Sequence, residues 1–88
     1  MPDLGPPTSY LMLEKGADVY ASDEAKLGHV EEVRADEATD IFDGIVVRGR
    51  PLTGRRFYVE AEHVDEIFER GVLLAIDAGA AESLPDAG

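Results

Sequence analysis

The sequence predicts an all-β fold, a small antiparallel β-barrel of about six strands with one short C-terminal helix. Three observations carry that expectation. The chain has 88 residues, enough for one small domain with one core. Short segments rich in valine, isoleucine, phenylalanine and tyrosine follow one another along most of it. The connections between them are brief and punctuated by glycine, proline and acidic residues. Closure of so small a sheet also removes exposed strand edges.

Residues 1–8 carry three of the five prolines and read as a mobile lead-in. Ser9 to Glu14 is apolar and short, and Gly16 ends it. It is a strand or one helical turn, and periodicity does not decide at this length. Ala17 to Ser22 alternates, with Ala17, Val19 and Ala21 on one side, as a half-buried strand does. Ser22 to Lys26 fits a hairpin connection. In Leu27 to Glu37 the apolar positions Leu27, Val30 and Val33 fall three apart, the spacing of a helix. Gly28 and the β-branched valines argue against helix, and a strand with a bulge near Glu31-Glu32 produces the same spacing.

Asp36 to Asp40 is a turn by composition. Ile41 to Arg48 is the strongest strand, apolar on both faces, and is expected to be central and covered on both sides. Gly49 to Gly54 is a loop. Arg55 to Ala61 is a strand with Phe57 and Val59 inward. Glu62 to Arg70 reads as a short helical turn or irregular crossing that Gly71 breaks. Val72 to Ile76 is the final strand, and Asp77 caps a helix from Ala78 to about Leu84, with Pro85 beyond its end. The organisation is thus a lead-in over 1–8, a barrel over 9–77, and a helix and tail over 78–88.

Composition excludes several classes of function. Nineteen acidic residues against eight basic ones give a net charge of −11, which opposes direct DNA binding, RNA binding and anionic membranes. The absence of cysteine excludes disulfides, thiolate metal sites and a cysteine nucleophile. The longest apolar runs, Ile45 to Val47 and Val72 to Ile76, are far too short to cross a bilayer. Met1 to Pro7 has no basic segment followed by an apolar one, so it does not read as a secretory signal, and a cytoplasmic location is expected.

No constellation for catalysis stands out. His29 and His63 open a near-repeat, His-Val-Glu-Glu-Val and His-Val-Asp-Glu-Ile, without the spacing that sets two metal ligands on one helix face. Asp36, Asp40 and Asp43 crowd one turn, but their spacing and the position of Gly44 do not fit a calcium loop. Ser9, Ser22 and Ser83 lack a nucleophile elbow, and the glycines at 44, 49 and 54 fit neither a phosphate loop nor a dinucleotide fingerprint. The expectation is no enzyme, no catalytic residue, no metal ligand and no cofactor.

One charge feature does stand out. Residues 44–59 contain no acid and hold Arg48, Arg50, Arg55 and Arg56, so this window is +4 and the remainder −15. Arginines bracketing an exposed hairpin protect an edge and aid solubility. They also suit contact with acids of a second copy. A small barrel has only one inside, so the doubly apolar strand needs external cover for Ile41, Ile45 and Val47, or else for Phe42 and Val46. The N-terminal segment, the C-terminal helix or a second chain can supply it. Arg48, Arg50, Arg55, Arg56, Ile41, Ile45 and Val47 are therefore the candidate interaction surface of a self-associating protein, with a homodimer expected.

The succession Val19-Tyr20-Ala21-Ser22-Asp23, Lys26-Leu27-Gly28-His29-Val30-Glu31-Glu32-Val33, Asp36-Glu37-Ala38-Thr39 and Phe42 to Arg48 resembles the PRC-barrel domain. Phe57 to Val64, followed by Val72-Leu73-Leu74, keeps the same order, and the likeness covers about residues 16–77. The resemblance implies a small β-barrel like those of the photosynthetic reaction-centre H subunit and of the ribosome-maturation factor RimM. In both it is a contact module, so it brings no catalytic residues. It implies a non-catalytic protein–protein interaction or scaffold module; alternatives are a RimM-like accessory protein in RNA metabolism that binds a basic protein, and a small-ligand or metal carrier. Two positions depart from the family's pattern: Asp23-Glu24 replaces the usual Asp-Gly turn, and Glu60 stands where proline is common.

Overall fold

A computed structural model describes residues 3–36, 38–49 and 55–87. Six strands form one sheet: β1 (Asp18–Tyr20), β2 (Lys26–Asp36), β3 (Ile41–Gly49), β4 (Arg56–Glu60), β5 (Val64–Phe68) and β6 (Gly71–Leu74). Their order across the sheet is β4-β3-β2-β1-β6-β5. Short 3-10 turns lie at Tyr10–Met12 and Ala61–His63, and helix α1 is Ala78–Ala81. The protein is mostly β, as expected, with two corrections. β6 lies parallel to β1 while the other neighbours are antiparallel, so the sheet is mixed. β4 and β5 end the sheet without pairing to each other, so strand pairing does not close the barrel.

The core is aliphatic. Val19, Val30, Ile45, Val47, Val59, Val72 and Leu74 are wholly buried, with Leu13 and Phe57 beside them. Burying each such side chain contributes about 1.5–3 kcal/mol before entropy. The three-residue spacing of Leu27, Val30 and Val33 is resolved by bulges. Val30 pairs with Val47 and Glu32 with Val46, which leaves Glu31 as the extra residue. A second shift, between β1 and β2, leaves Leu27 as an extra residue. All three side chains thereby reach the core.

Glu62 to Arg70 holds a strand where the sequence reads a turn or crossing, because Asp65 is a further bulge residue between the Val64–Leu74 and Glu66–Leu73 pairs. Val64 and Ile67, at helical spacing, both pack on the core from a strand. β3 is buried on both faces from Ile45 to Val47 but sits second from the sheet's end, not at its centre. Glu24 takes the positive φ (70°) that glycine usually supplies to the β1–β2 turn. Asp77 accepts a bond from the Ala80 amide at 2.8 Å, the expected cap of α1. Glu37 and the loop residues 50–54 lie outside the described residues.

The lead-in is not a detached segment. Leu4 is buried, and the Arg70 amide donates to the Leu4 carbonyl, Glu69 to Pro6, and Thr8 to Ile67. Residues 4–8 thus run along β5 and cover that edge. Extended proline-rich backbone still offers carbonyl acceptors, and Leu4 supplies the anchor.

Among the described glycines, Gly28 leaves the least room for a side chain. A Cβ there would lie 2.0 Å from the Arg48 carbonyl oxygen. Gly28→Ala is expected to destabilise the fold by on the order of 3 kcal/mol, read as a lowered urea midpoint.

Candidate interaction surface

The described arginines of the edge, Arg48, Arg55 and Arg56, are engaged within the chain. The extra residue Glu31 places its carboxylate between Arg48 and Arg56, which face each other across β3 and β4. Arg48 Nε donates to Glu31 Oε2 at 2.6 Å, and Arg56 Nε to Oε1 at 2.5 Å. Two opposed cations on neighbouring strands repel, and the shared carboxylate offsets that cost. The bond from Arg48, then that from Arg56 and the charge of both, holds the Glu31 carboxyl below its ordinary range against the opposing effect of burial. Arg55 turns to the C-terminal segment and pairs with Asp86 at 2.9 Å. Arg50 lies outside the described residues.

The apolar half of the expected surface resolves differently. Ile45 and Val47 face the core and are wholly buried, so they present no surface. Val46, on the outer face, is also wholly buried within one chain, between its pairing neighbours Glu32 and Tyr58. Gly44 lets the Tyr58 ring lie over β3, since a Cβ there would come within 2.7 Å of the hydroxyl. Arg34 stacks on that ring at 5.3 Å and pairs with Glu32 at 2.9 Å. Burial, then the charges of Asp43 and Glu60, raises the Tyr58 hydroxyl pKa, with Arg34 opposing.

Exposed apolar surface gathers elsewhere. The Tyr10 ring stacks on Phe42 at 5.2 Å and its hydroxyl donates to Asp40, which sets the first 3-10 turn beside the start of β3. Leu11 and Met12 in that turn are 68% and 66% exposed, and Ile41 between the two contacts is 55% exposed. The sequence singled out Ile41 but missed Leu11 and Met12, because an isolated Tyr-Leu-Met-Leu run does not show which side chain finds the core. Leu13 is the one that does.

Two shallow grooves, about 270 and 440 Å³, meet at Phe42 and Ala61 along the unclosed seam between β4 and β5. Tyr10, Val64 and Ile67 line the first with Asp65 and Glu66; Tyr58 and Arg34 line the second with Asp43, Glu60 and Glu62. A hydrogen bond between the Glu60 and Glu62 carboxyls, with the charge of Glu62, raises the Glu60 pKa. The seam therefore carries negative charge that its own cations do not neutralise. A recess of about 280 Å³ beside α1, lined by Leu27, Phe57 and Ala81, falls just under the usual size of a small-molecule site. Among the described residues, no group of three His, Asp or Glu side chains is arranged to hold a metal ion, and no helix is long and apolar enough to cross a membrane.

The PRC-barrel domain family model matches residues 15–80, three quarters of the chain. No curated protein matches it.

Glu31→Gln is expected to lower stability at neutral pH, since it removes the anion between two arginines. A carboxyl whose pKa is lowered on folding contributes stability above its unfolded value, near 4.5, and loses it as pH falls through the folded value. The gap between the wild-type and Glu31→Gln urea midpoints should therefore be open at pH 7 and narrow by pH 3.

Proposed function

The chain belongs to the PRC-barrel family, and from that premise we propose that it is a non-catalytic protein-contact module that associates with a second copy of itself. The observation that carries this reading is the exposed apolar patch of Leu11, Met12 and Ile41 on a protein whose strands otherwise bury their large aliphatic side chains. A two-fold axis through the patch would set it against its own copy, the arrangement most soluble homodimers use. The arginines do not serve this contact, since Arg48, Arg55 and Arg56 already have acidic partners in the chain.

A second reading has an observation of its own. The acidic rim of the seam, beside the same apolar patch, suits a basic protein partner of the kind a RimM-like accessory role would require. The two readings differ in the sign of their salt dependence. Copies that each carry −11 repel, so salt should strengthen self-association, whereas salt should weaken attachment of a basic partner.

Sedimentation equilibrium at micromolar concentration, in low and high salt, separates them. A dimer that tightens with salt is expected, and the combined Leu11→Ser, Met12→Ser and Ile41→Ser variant should weaken it by about tenfold or more. A monomer at both salt concentrations would reject self-association and leave the basic-partner reading standing.

A further inference from the structure

The sheet's other open edge is β4, and the chain's own C-terminal segment occupies it. The Tyr58 amide donates to the Pro85 carbonyl at 3.0 Å, and the Ala87 amide donates to the Arg56 carbonyl at 3.0 Å. Asp86 lies opposite Phe57 in this short antiparallel ladder. Arg55 clasps the segment from the side. Its Nε donates to the Asp86 carboxylate at 2.9 Å, its Nη1 to the Glu82 carbonyl at 3.2 Å, and its Nη2 to the Leu84 carbonyl. Leu84 packs against the core cluster.

We propose that the outer edge of β4, together with Arg55, is a strand-addition site for an extended segment with an aliphatic residue followed two positions later by a carboxylate. Residues 84–87 are its occupant in cis, and a partner segment of the same chemistry takes their place. The receiving side is preformed, because pairing with β3 and the burial of Phe57 and Val59 hold β4 whether or not the edge is occupied. The occupant is held less firmly. Its ion pair is three-quarters exposed on the Asp86 side, and exposed pairs contribute little. Pro85 has no amide hydrogen, so the Tyr58 carbonyl opposite it receives no ladder bond from the segment. A segment with a non-proline residue there gains the missing bond. The cis segment is thus a competent but sub-optimal ligand, favoured by its tether and open to competition.

The test uses full-length protein and a fluorescent peptide of the sequence at residues 82–87, read by anisotropy. The Leu84→Ser/Asp86→Asn chain, with its own segment weakened, should bind the peptide at least about tenfold more tightly than wild type. Alanine in place of the peptide's proline should tighten binding further. Asparagine in place of its aspartate, or Arg55→Lys in the receptor, should weaken binding several-fold. Absence of binding to a variant that retains the wild-type circular dichroism spectrum, or binding indifferent to Arg55→Lys, would overturn the proposal. Should that variant not fold, hydrogen exchange on the wild-type chain decides. The Tyr58 and Ala87 amides should exchange much faster than the β3–β4 amides, and equal protection would overturn the proposal.

Discussion

A strand sets residues three apart on opposite faces, yet Val30 and Val33, Phe42 and Ile45, and Val64 and Ile67 all pack on one core. One extra residue between the two members of each pair reconciles the spacing with the pleat: Glu31 in β2, Asp43 in β3 and Asp65 in β5. In all three the extra residue is an acid. This suits a position taken out of the ladder and turned towards water. Each acid then acquires a further role. Glu31 sits between Arg48 and Arg56, Asp43 lies near the Tyr58 hydroxyl, and Asp65 stands on the rim of the seam. The bulges that let the core close also distribute the charges around it.

The same curvature leaves two sheet edges that do not meet, and the chain covers both with its ends. Residues 4–8 lie along β5 and residues 85–87 along β4. Each end is tethered by one leucine, Leu4 against the Gly71 backbone and Leu84 against the main core. Unpaired edges invite association, so these segments block pairing as well as adding cohesion. The outer face of β3 is managed similarly. Val46 is buried under polar and aromatic neighbours of its own chain, so the middle of this doubly apolar strand needs no second molecule to cover it. Among the described residues, the large apolar side chains that stay open are Leu11 and Met12 of the first 3-10 turn and Ile41.

Much of the strand sequence was legible because β-branched residues and alternation are local signals. The bulge near Glu31 was legible too, since valines three apart, next to Gly28, fit a disturbed strand better than a helix. The same apolar-acid-x-apolar pattern stands in Val64 to Ile67. There only one residue of the four is a valine and Phe68 extends the helical spacing, so the strand reads as a turn. Which strand lies beside which was not legible, and the parallel β1–β6 pair follows from a long excursion that no local pattern encodes. The arginines were visible by composition, but their partners were not. Glu31 is 17 and 25 residues from Arg48 and Arg56, and Asp86 is 31 from Arg55. Nothing local in the sequence joins them, so from the sequence the arginines read equally as protection of an edge and as a contact for a second copy.

Allocation of charge then shapes how the surface meets other molecules. Arg34, Arg48, Arg55, Arg56 and Arg70 each pair with an acid of their own chain. The excess of acid is therefore not concealed by internal pairing, and Asp43, Glu60, Glu62, Asp65 and Glu66 place part of it along the seam. At a distance beyond roughly 10 Å the protein presents a negative field, screened by salt. At short range, Leu11, Met12 and Ile41 offer exposed apolar area, whose tendency to be buried salt leaves nearly unchanged. Long-range and short-range forces act together for a basic partner and against each other for a second copy.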